Sequence, residues 1–262
     1  MPKIFIDTNV FIKFYHASNQ PLTLFEDLKN YGEHLVFPEQ AYDEFRRNSG
    51  NQLNIIIKEF QSSSKVNIKA TKLITDWVDY SKMTKALKII KEESSKILEM
   101  LKEAKEDQTR DPVFTRVQEI YDISTKIPIT DEILADAQKR HLRGNPPGAD
   151  KHSAGDEIIW ESLLSSLSED LIIVSYDGTF SKHESFLINE FKEKLGYKLT
   201  ITDQISSALE NIGETPSKAI TEYDDYMDRW LKTEFDQCPS CGTPDTVYNG
   251  ICSYCNFITF GL

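Results

Sequence analysis

Four carboxylates and four cysteines are the residues whose types and spacing could do chemistry. Asp7 follows the short apolar run Ile4-Phe5-Ile6, and Asp177 follows Leu171-Ile172-Ile173-Val174, the most strand-like run in the chain. Glu44 and Asp156 fall in the N-terminal halves of two expected helices, and Glu157, next to Asp156, stands in support. Parallel α/β sheets place their active sites beyond the carboxyl ends of the strands, and all four residues would face that edge. Each also has a plain structural role open to it. Asp7 could N-cap the helix that follows. Ser153-Ala154-Gly155-Asp156 has the spacing of a capping box. Asp177-Gly178 reads as a turn, and Glu44 as a point on a solvated helix face. Together they weigh differently, because clustered carboxylates repel one another unless cations neutralise them. Hard oxygen ligands in this number suit Mg2+ or Mn2+. Asn9 would orient Asp7 or a water.

The cysteines form two knuckles, Cys238-Pro-Ser-Cys241 and Cys252-Ser-Tyr-Cys255. A disulfide framework would be spread through the chain, whereas paired cysteines in a cytosolic protein point to metal. Four thiolates make a closed tetrahedral site of the structural kind, expected to hold Zn2+. A redox dithiol needs only one pair, and an iron–sulfur centre would use the same four ligands. The spacing, with the β-rich stretches Thr246-Val247-Tyr248 and Phe257-Ile258-Thr259-Phe260, looks like a zinc ribbon. So short a segment buries too little core to fold without its metal.

The elements that must position these groups read as alternating strands and helices, hence an α/β fold with a mostly parallel sheet flanked by helices. A strand at Ile4–Ile6 leads into a helix from Val10. Leu35-Val36-Phe37 is a second strand, with Pro38 in the first turn of a helix that carries Tyr42, Glu44 and Phe45. Residues from about 52 to 122 form a long, charged helical insertion. In it Met83, Leu87, Ile90, Ile97 and Leu101 recur at helical spacing and are expected to pack on a partner helix and the core. An extended segment at Ile127–Ile129, a helix over Ile133–Leu142, a loop over Arg143–Lys151, a helix from Gly155 and a strand at Leu199–Thr202 complete the domain. Residues 206–236 read as a helical linker and 237–262 as the ribbon.

The net charge of −12 argues against a general polyanion binder. A nucleic acid would be held by a local basic patch together with metal. Such a patch is at hand in Lys139, Arg140, His141, Arg143, Lys151 and His152, of which Arg140, Arg143 and Lys151 are candidate phosphate contacts. The same cations could equally complement a helix C-terminus. No run of about 18 apolar residues crosses a membrane, and the N-terminus lacks a signal-peptide layout, so the cytosol is expected.

Four stretches carry a family resemblance. Phe5-Ile6-Asp7-Thr8-Asn9-Val10-Phe11 resembles the opening motif of PIN-domain nucleases. Pro38-Glu39-Gln40-Ala41-Tyr42-Asp43-Glu44-Phe45 resembles their second motif, Gly155-Asp156-Glu157-Ile158-Ile159-Trp160-Glu161 the third, and Val174-Ser175-Tyr176-Asp177-Gly178-Thr179-Phe180 the fourth. The order matches over roughly the first 200 residues. The stretch between Glu44 and Asp156 is longer than in compact PIN toxins, and Gly178 stands where many relatives carry a charged residue. With the preceding loop, this resembles a bacterial subfamily bearing a helical insertion. The resemblance implies a PIN-like domain over 1–205. It also implies metal-dependent hydrolysis of phosphodiesters by Asp7, Glu44, Asp156 and Asp177, in RNA rather than DNA, in the manner of a toxin-like or defence effector. Other readings are an RNA-maturation endonuclease, a structure-specific DNA nuclease, and a catalytically silent scaffold that binds RNA or protein. An effector that must spare its host's RNA would need a regulatory protein partner or trigger.

Overall fold

In a computed structural model the described residues are 1–16, 22–65, 71–76, 79–148, 153–231, 247–248 and 251–252. They form β1 (Lys3–Ile6), α1 (Thr8–Lys13), α2 (Thr23–Lys29), β2 (Val36–Pro38), α3 (Glu39–Ser63), α4 (Lys72–Thr75) and α5 (Tyr80–Glu106). A 3-10 turn (Gln108–Arg110) leads to α6 (Pro112–Ile123), β3 (Thr125–Ile127), α7 (Asp131–Leu142), α8 (Gly155–Ser166) and β4 (Leu171–Val174). Then come α9 (Gly178–Ser181), α10 (Glu184–Leu195), β5 (Leu199–Thr202), α11 (Ile205–Asn211), α12 (Lys218–Leu231), β6 (Val247–Tyr248) and β7 (Ile251–Cys252). The chain divides into two compact units, residues 46–115 and the remainder.

In the larger unit, β1, β4 and β5 pair in parallel, with Ile6 opposite Val174 and Val174 opposite Thr202. β2 and β3 pair in parallel as well. A parallel bridge between Ile4 and Leu35 lays the second pair beside β1. The strands are therefore ordered β3-β2-β1-β4-β5. Every residue of β4 is buried, as is all of β1 after Lys3. Strands covered on both faces read as continuous apolar runs rather than alternating ones, which is why these two are so plain in the sequence. β6 and β7 pair antiparallel.

An aromatic cluster fills the space beside the sheet. Phe11 of α1 stacks against Phe37 at 5.9 Å and Phe25 at 6.2 Å, and meets Phe45 of α3 edge-on at 6.4 Å. Phe14 stacks on Tyr223 of α12 at 4.5 Å. Ser217 Oγ donates to Asp27 at 2.5 Å. Asp224 accepts the backbone N–H groups of Ile205 and Ser206, at 3.1 and 2.6 Å. It so caps α11 from a different helix. The acidic segment that follows β5 thus packs on the domain along α12.

Three local readings need correcting. Pro38 ends β2, and α3 starts at Glu39. The first helix begins at Thr8, before Val10. Within residues 46–115, Ile90 and Ile97 of the apolar stripe on α5 stay 45% and 43% exposed. The face of α5 with lower exposure runs instead through Met83, Leu87, Ser94, Leu98 and Leu101. Ile90 and Ile97 belong to the insertion's surface rather than to a helix–helix seam. No described helix is long and apolar enough to cross a membrane.

Phe11 is 1% exposed and joins three rings from three other elements. Phe11→Ala is expected to cost about 3–5 kcal/mol of stability, read as a lowered midpoint in urea unfolding. A loss below about 1 kcal/mol would show that the cluster collapses around the cavity.

Candidate active site

The site begins where two parallel strands end side by side. Ile6 lies opposite Val174, so Asp7 and Ser175 leave the sheet as neighbours. The Asp7 N–H donates to Val174 O at 2.8 Å, and the Ser175 N–H to Thr202 O at 3.0 Å. Asp7 holds the N-cap position of α1, yet its side chain makes no cap hydrogen bond. Its Oδ2 instead accepts from Asn9 Nδ2 at 2.7 Å and from Ser175 Oγ at 2.8 Å.

Asn9 is the clasp of this corner. Its amide nitrogen donates to Asp7 Oδ2 and to Ser175 Oγ at 3.0 Å, while its carbonyl oxygen accepts the Tyr176 N–H at 3.1 Å. One side chain thereby ties α1 to the turn after β4 and fixes the Asp7 carboxylate. Ser175, quoted in the fourth motif but not singled out as a site residue, has one proton to give. It lies 2.8 Å from Asp7 and 3.4 Å from Asp177 Oδ1, so the shorter bond to Asp7 takes it. Asp177 does cap its helix: Oδ1 accepts the Thr179 N–H at 2.8 Å.

Glu44 reaches the start of α8, where Asp156 follows the opening Gly155. The capping box does not form, because Ala154 takes the N-cap position and no side chain caps the helix. Gly155 opens the helix, and a Cβ there would collide with Glu44 Oε1. The missing side chain lets the Glu44 carboxylate approach a helix N-terminus, where negative charge is favoured. Gln40 Nε2, one turn earlier on α3, donates to the same Glu44 oxygen at 2.8 Å.

Asp7, Asp156 and Asp177 feel one another. The Asp7 pKa is raised to about 7, first by burial and then by the negative charge of Asp177, with Asp156 adding to it; the Ser175 bond opposes the rise. Lys13, the last residue of α1 and half-buried, is the cation that answers Asp177. Burial lowers its pKa and the Asp177 charge works against that. Lys13 lies outside the four motifs and Gln40 stands within the second without having been singled out; their signal was helical spacing, four residues from Asn9 and from Glu44. The donors fit a hard cation in type and sign. As placed, no three His, Cys, Asp or Glu side chains among the described residues come together closely enough to hold one ion.

Glu157 faces away from this edge. It is fully buried, with Oε1 2.7 Å from His141 Nδ1 and Oε2 without a partner. Gly148 lies over it so closely that a Cβ would collide with the carboxylate. Of the candidate phosphate contacts, Arg140 is 4% exposed. Its guanidinium donates to Glu161 at 2.6 Å, to Glu190 at 2.5 Å and to the Pro146 carbonyl at 2.7 Å. Trp160 Nε1 donates to the other Glu190 oxygen at 2.9 Å. A buried charge needs this degree of pairing, so Arg140 offers no free cation to a ligand. Arg143 is exposed at the C-cap of α7. Lys151 lies outside the described residues. So do Cys238, Cys241 and Cys255, and the side chain of Cys252 in β7.

The family model described as PIN domain matches residues 4–180. That span takes in all four carboxylates. No curated protein and no solved structure matches the chain.

Two outcomes follow from this geometry. Without metal, folded Asp7 holds its proton to about pH 7 whereas the unfolded carboxyl releases it near 3.8. The folded state therefore binds more protons between those values, and stability falls as pH rises through them. Asp7→Asn removes the penalty. In chelator it should be more stable than the native protein above pH 7, by up to about 4 kcal/mol, with the gain fading toward pH 4. A gain independent of pH would reject this account. Separately, Arg140→Ala takes the close partner from the buried Glu161 and the half-buried Glu190, leaving them Lys194 and, for Glu190, the Trp160 N–H, and should cost about 3 kcal/mol, while Arg143→Ala changes stability by less than about 0.5 kcal/mol; denaturant unfolding reads both.

Proposed function

The chain belongs to the PIN-domain family, and on that premise we propose that it is a divalent-metal-dependent endonuclease that hydrolyses phosphodiester bonds, in RNA in preference to DNA. The observation that carries this reading is the Asp7 corner. A buried carboxylate is held at the end of β1 by Asn9 and Ser175 and is raised by the charges of Asp177 and Asp156. Like charges packed together call for a cation.

Asp7, Glu44, Asp156 and Asp177 would hold Mg2+ or Mn2+. Such an ion supplies a water of lowered pKa and offsets charge on the scissile phosphate. The chain's own residues do the positioning. Asn9 keeps one Asp7 oxygen in a fixed direction. Ser175 donates to the same oxygen, which directs the other outward. The bare Cα of Gly155 leaves Glu44 its place at the head of α8. Lys13 balances part of the Asp177 charge, so the edge carries a net negative charge rather than the full sum of its acids. Because Asp7 holds a proton to about pH 7, cation binding must release it, and metal affinity should weaken as pH falls below that value.

The preference for RNA and the role of effector come from the family resemblance. At the four cysteines we propose structural Zn2+, on the strength of ligand type and spacing. One observation favours a second reading, a catalytically silent scaffold: as placed, no three ligand side chains among the described residues gather on one ion.

The deciding experiment is cleavage of labelled single-stranded RNA and DNA by purified protein in Mg2+ or Mn2+, beside Asp7→Asn, Asp156→Asn and Gly155→Ala. Metal-dependent cutting of RNA is expected, reduced at least about 100-fold in both Asp variants. Gly155→Ala, by pushing Glu44 aside, should cut activity with little loss of stability. Equal cutting by all the proteins would sink the site. No cutting by any, with no Mn2+ bound on titration, would establish the scaffold.

A further inference from the structure

The charge of this chain is divided between its two units. Residues 46–115 contain fourteen Lys and Arg against ten Asp and Glu, a net +4. The whole chain is −12, so the remainder carries −16. Within residues 46–115 the end of α3 and the first half of α5 line a groove of about 950 Å³. Among the described residues its lining includes Lys65, Lys88 and Lys91 and no carboxylate. Between the lysines stand the hydroxyls of Thr84, Ser94 and Ser95, and Leu87 and Ile90 supply apolar ground.

The lysines are not occupied by structural ion pairs. Lys65 and Lys91 have none among the described residues. Lys88 lies 3.8 Å from Glu92, with both side chains well exposed, a separation and setting worth little. On the same helix Lys96 is paired, with Glu93 at 2.6 Å. Two of the three groove ammonium groups, those of Lys65 and Lys91, are thus open to a ligand, and the third is held only weakly.

We propose that this groove binds the phosphate backbone of a single-stranded nucleic acid, through residues that take no part in the carboxylate site. Ammonium groups supply phosphate contacts that carry no sequence preference. The Ser94 hydroxyl can add a hydrogen bond to a phosphate oxygen, whereas those of Thr84 and Ser95 donate to the Ser81 and Lys91 carbonyls; the half-covered Leu87 and exposed Ile90 offer apolar surface to bases. This also accounts for Ile90 staying at the surface. The groove rests on the nucleic-acid reading of the family, and it answers how a protein of −12 can hold a polyanion: the binding charge is carried by the insertion.

The test uses full-length Asp7→Asn protein, so that bound RNA is not cut, and a labelled single-stranded RNA of about 20 nucleotides. Affinity is read by fluorescence anisotropy across a salt series. The triple variant Lys65→Glu, Lys88→Glu, Lys91→Glu is expected to bind at least about tenfold more weakly and to lose about 2 from the log–log salt slope, at roughly 0.7 per contact. Reversing Lys96, Lys102 and Lys105 makes the same change of net charge on α5 outside the groove and should move affinity less than about threefold. A triple change to Gln, milder for folding, should shift affinity in the same direction by less. Unchanged RNA affinity in the groove variants would overturn the proposal, and so would equal losses in the two reversal sets. Release of a co-purified protein by the groove variants with RNA affinity intact would overturn it too, in favour of a protein partner. Hydrolysis of a small phosphodiester by protein with native Asp7 in Mn2+ reports on the carboxylate site by itself. The nuclease reading and the groove can therefore fail separately.

Discussion

The backbone N–H of Asp7 donates to the carbonyl of Val174 at 2.8 Å, and with that bond the parallel pairing of β1 and β4 continues one residue past the strands. The rest of the candidate site hangs on it. Because the register is fixed, Asp7 and Ser175 emerge together, Asn9 can reach both, and the turn that carries Asp177 is tied to α1. A slip of one residue would reverse the face of every side chain in the strand. The buried runs Ile4–Ile6 and Leu171–Val174, which tolerate no polar neighbour, are what forbid that slip. The apolar core sets the register, and the register sets the chemistry. The charge at the edge works against folding: Asp7 is buried beside two other acids, and the fold holds it there because the strands on either side leave it no other place.

Strands buried on both faces leave a strong trace in sequence, so β1, β4 and the acids that follow them could be read directly. Glu44 and Asp156 are expected at the same edge from their places early in helices that follow a strand and a loop; the structure brings Glu44 to the head of α8. What could not be read depended on pairs of distant residues. Gly155 looks like a loop residue until Glu44 of α3 is seen to need its space. Glu157 adjoins Asp156 in the chain but, one helical position on, points into the interior toward His141. Adjacent residues on a helix do not share a direction. The stripe on α5 had helical spacing, yet spacing states only that residues share a face, not that anything covers it.

The basic residues carry the clearest lesson of this kind. The densest run of cations in the chain, Lys139-Arg140-His141, is largely engaged in the fold: Lys139 with Asp136, Arg140 with Glu161 and Glu190, His141 with Glu157. Local charge in the sequence was a poor guide to available charge. The lysines of α5 are interspersed with glutamates farther along and look unremarkable in a list of residues. They stand out only when the folded chain sets Lys88 and Lys91 beside Lys65 along one groove. In an acidic protein the informative cation is the one without a partner.

The helix α12 has a consequence for the order in which the domain can be built. Its Tyr223 stacks on Phe14, beside the helix that carries Asn9, and its Asp224 supplies the cap that α11 lacks. During synthesis the chain leaves the ribosome from residue 1 onward, and domains close as units once their parts are present. The first described helix therefore waits for α12: until residues 223 and 224 emerge, Phe14 has only the ring of Phe25 against it, at 4.6 Å, and α11 has no acid at its head. A ribosome stalled before that point would have made β1 to β5 and yet leave α11 without its cap and Phe14 without the stacked Tyr223.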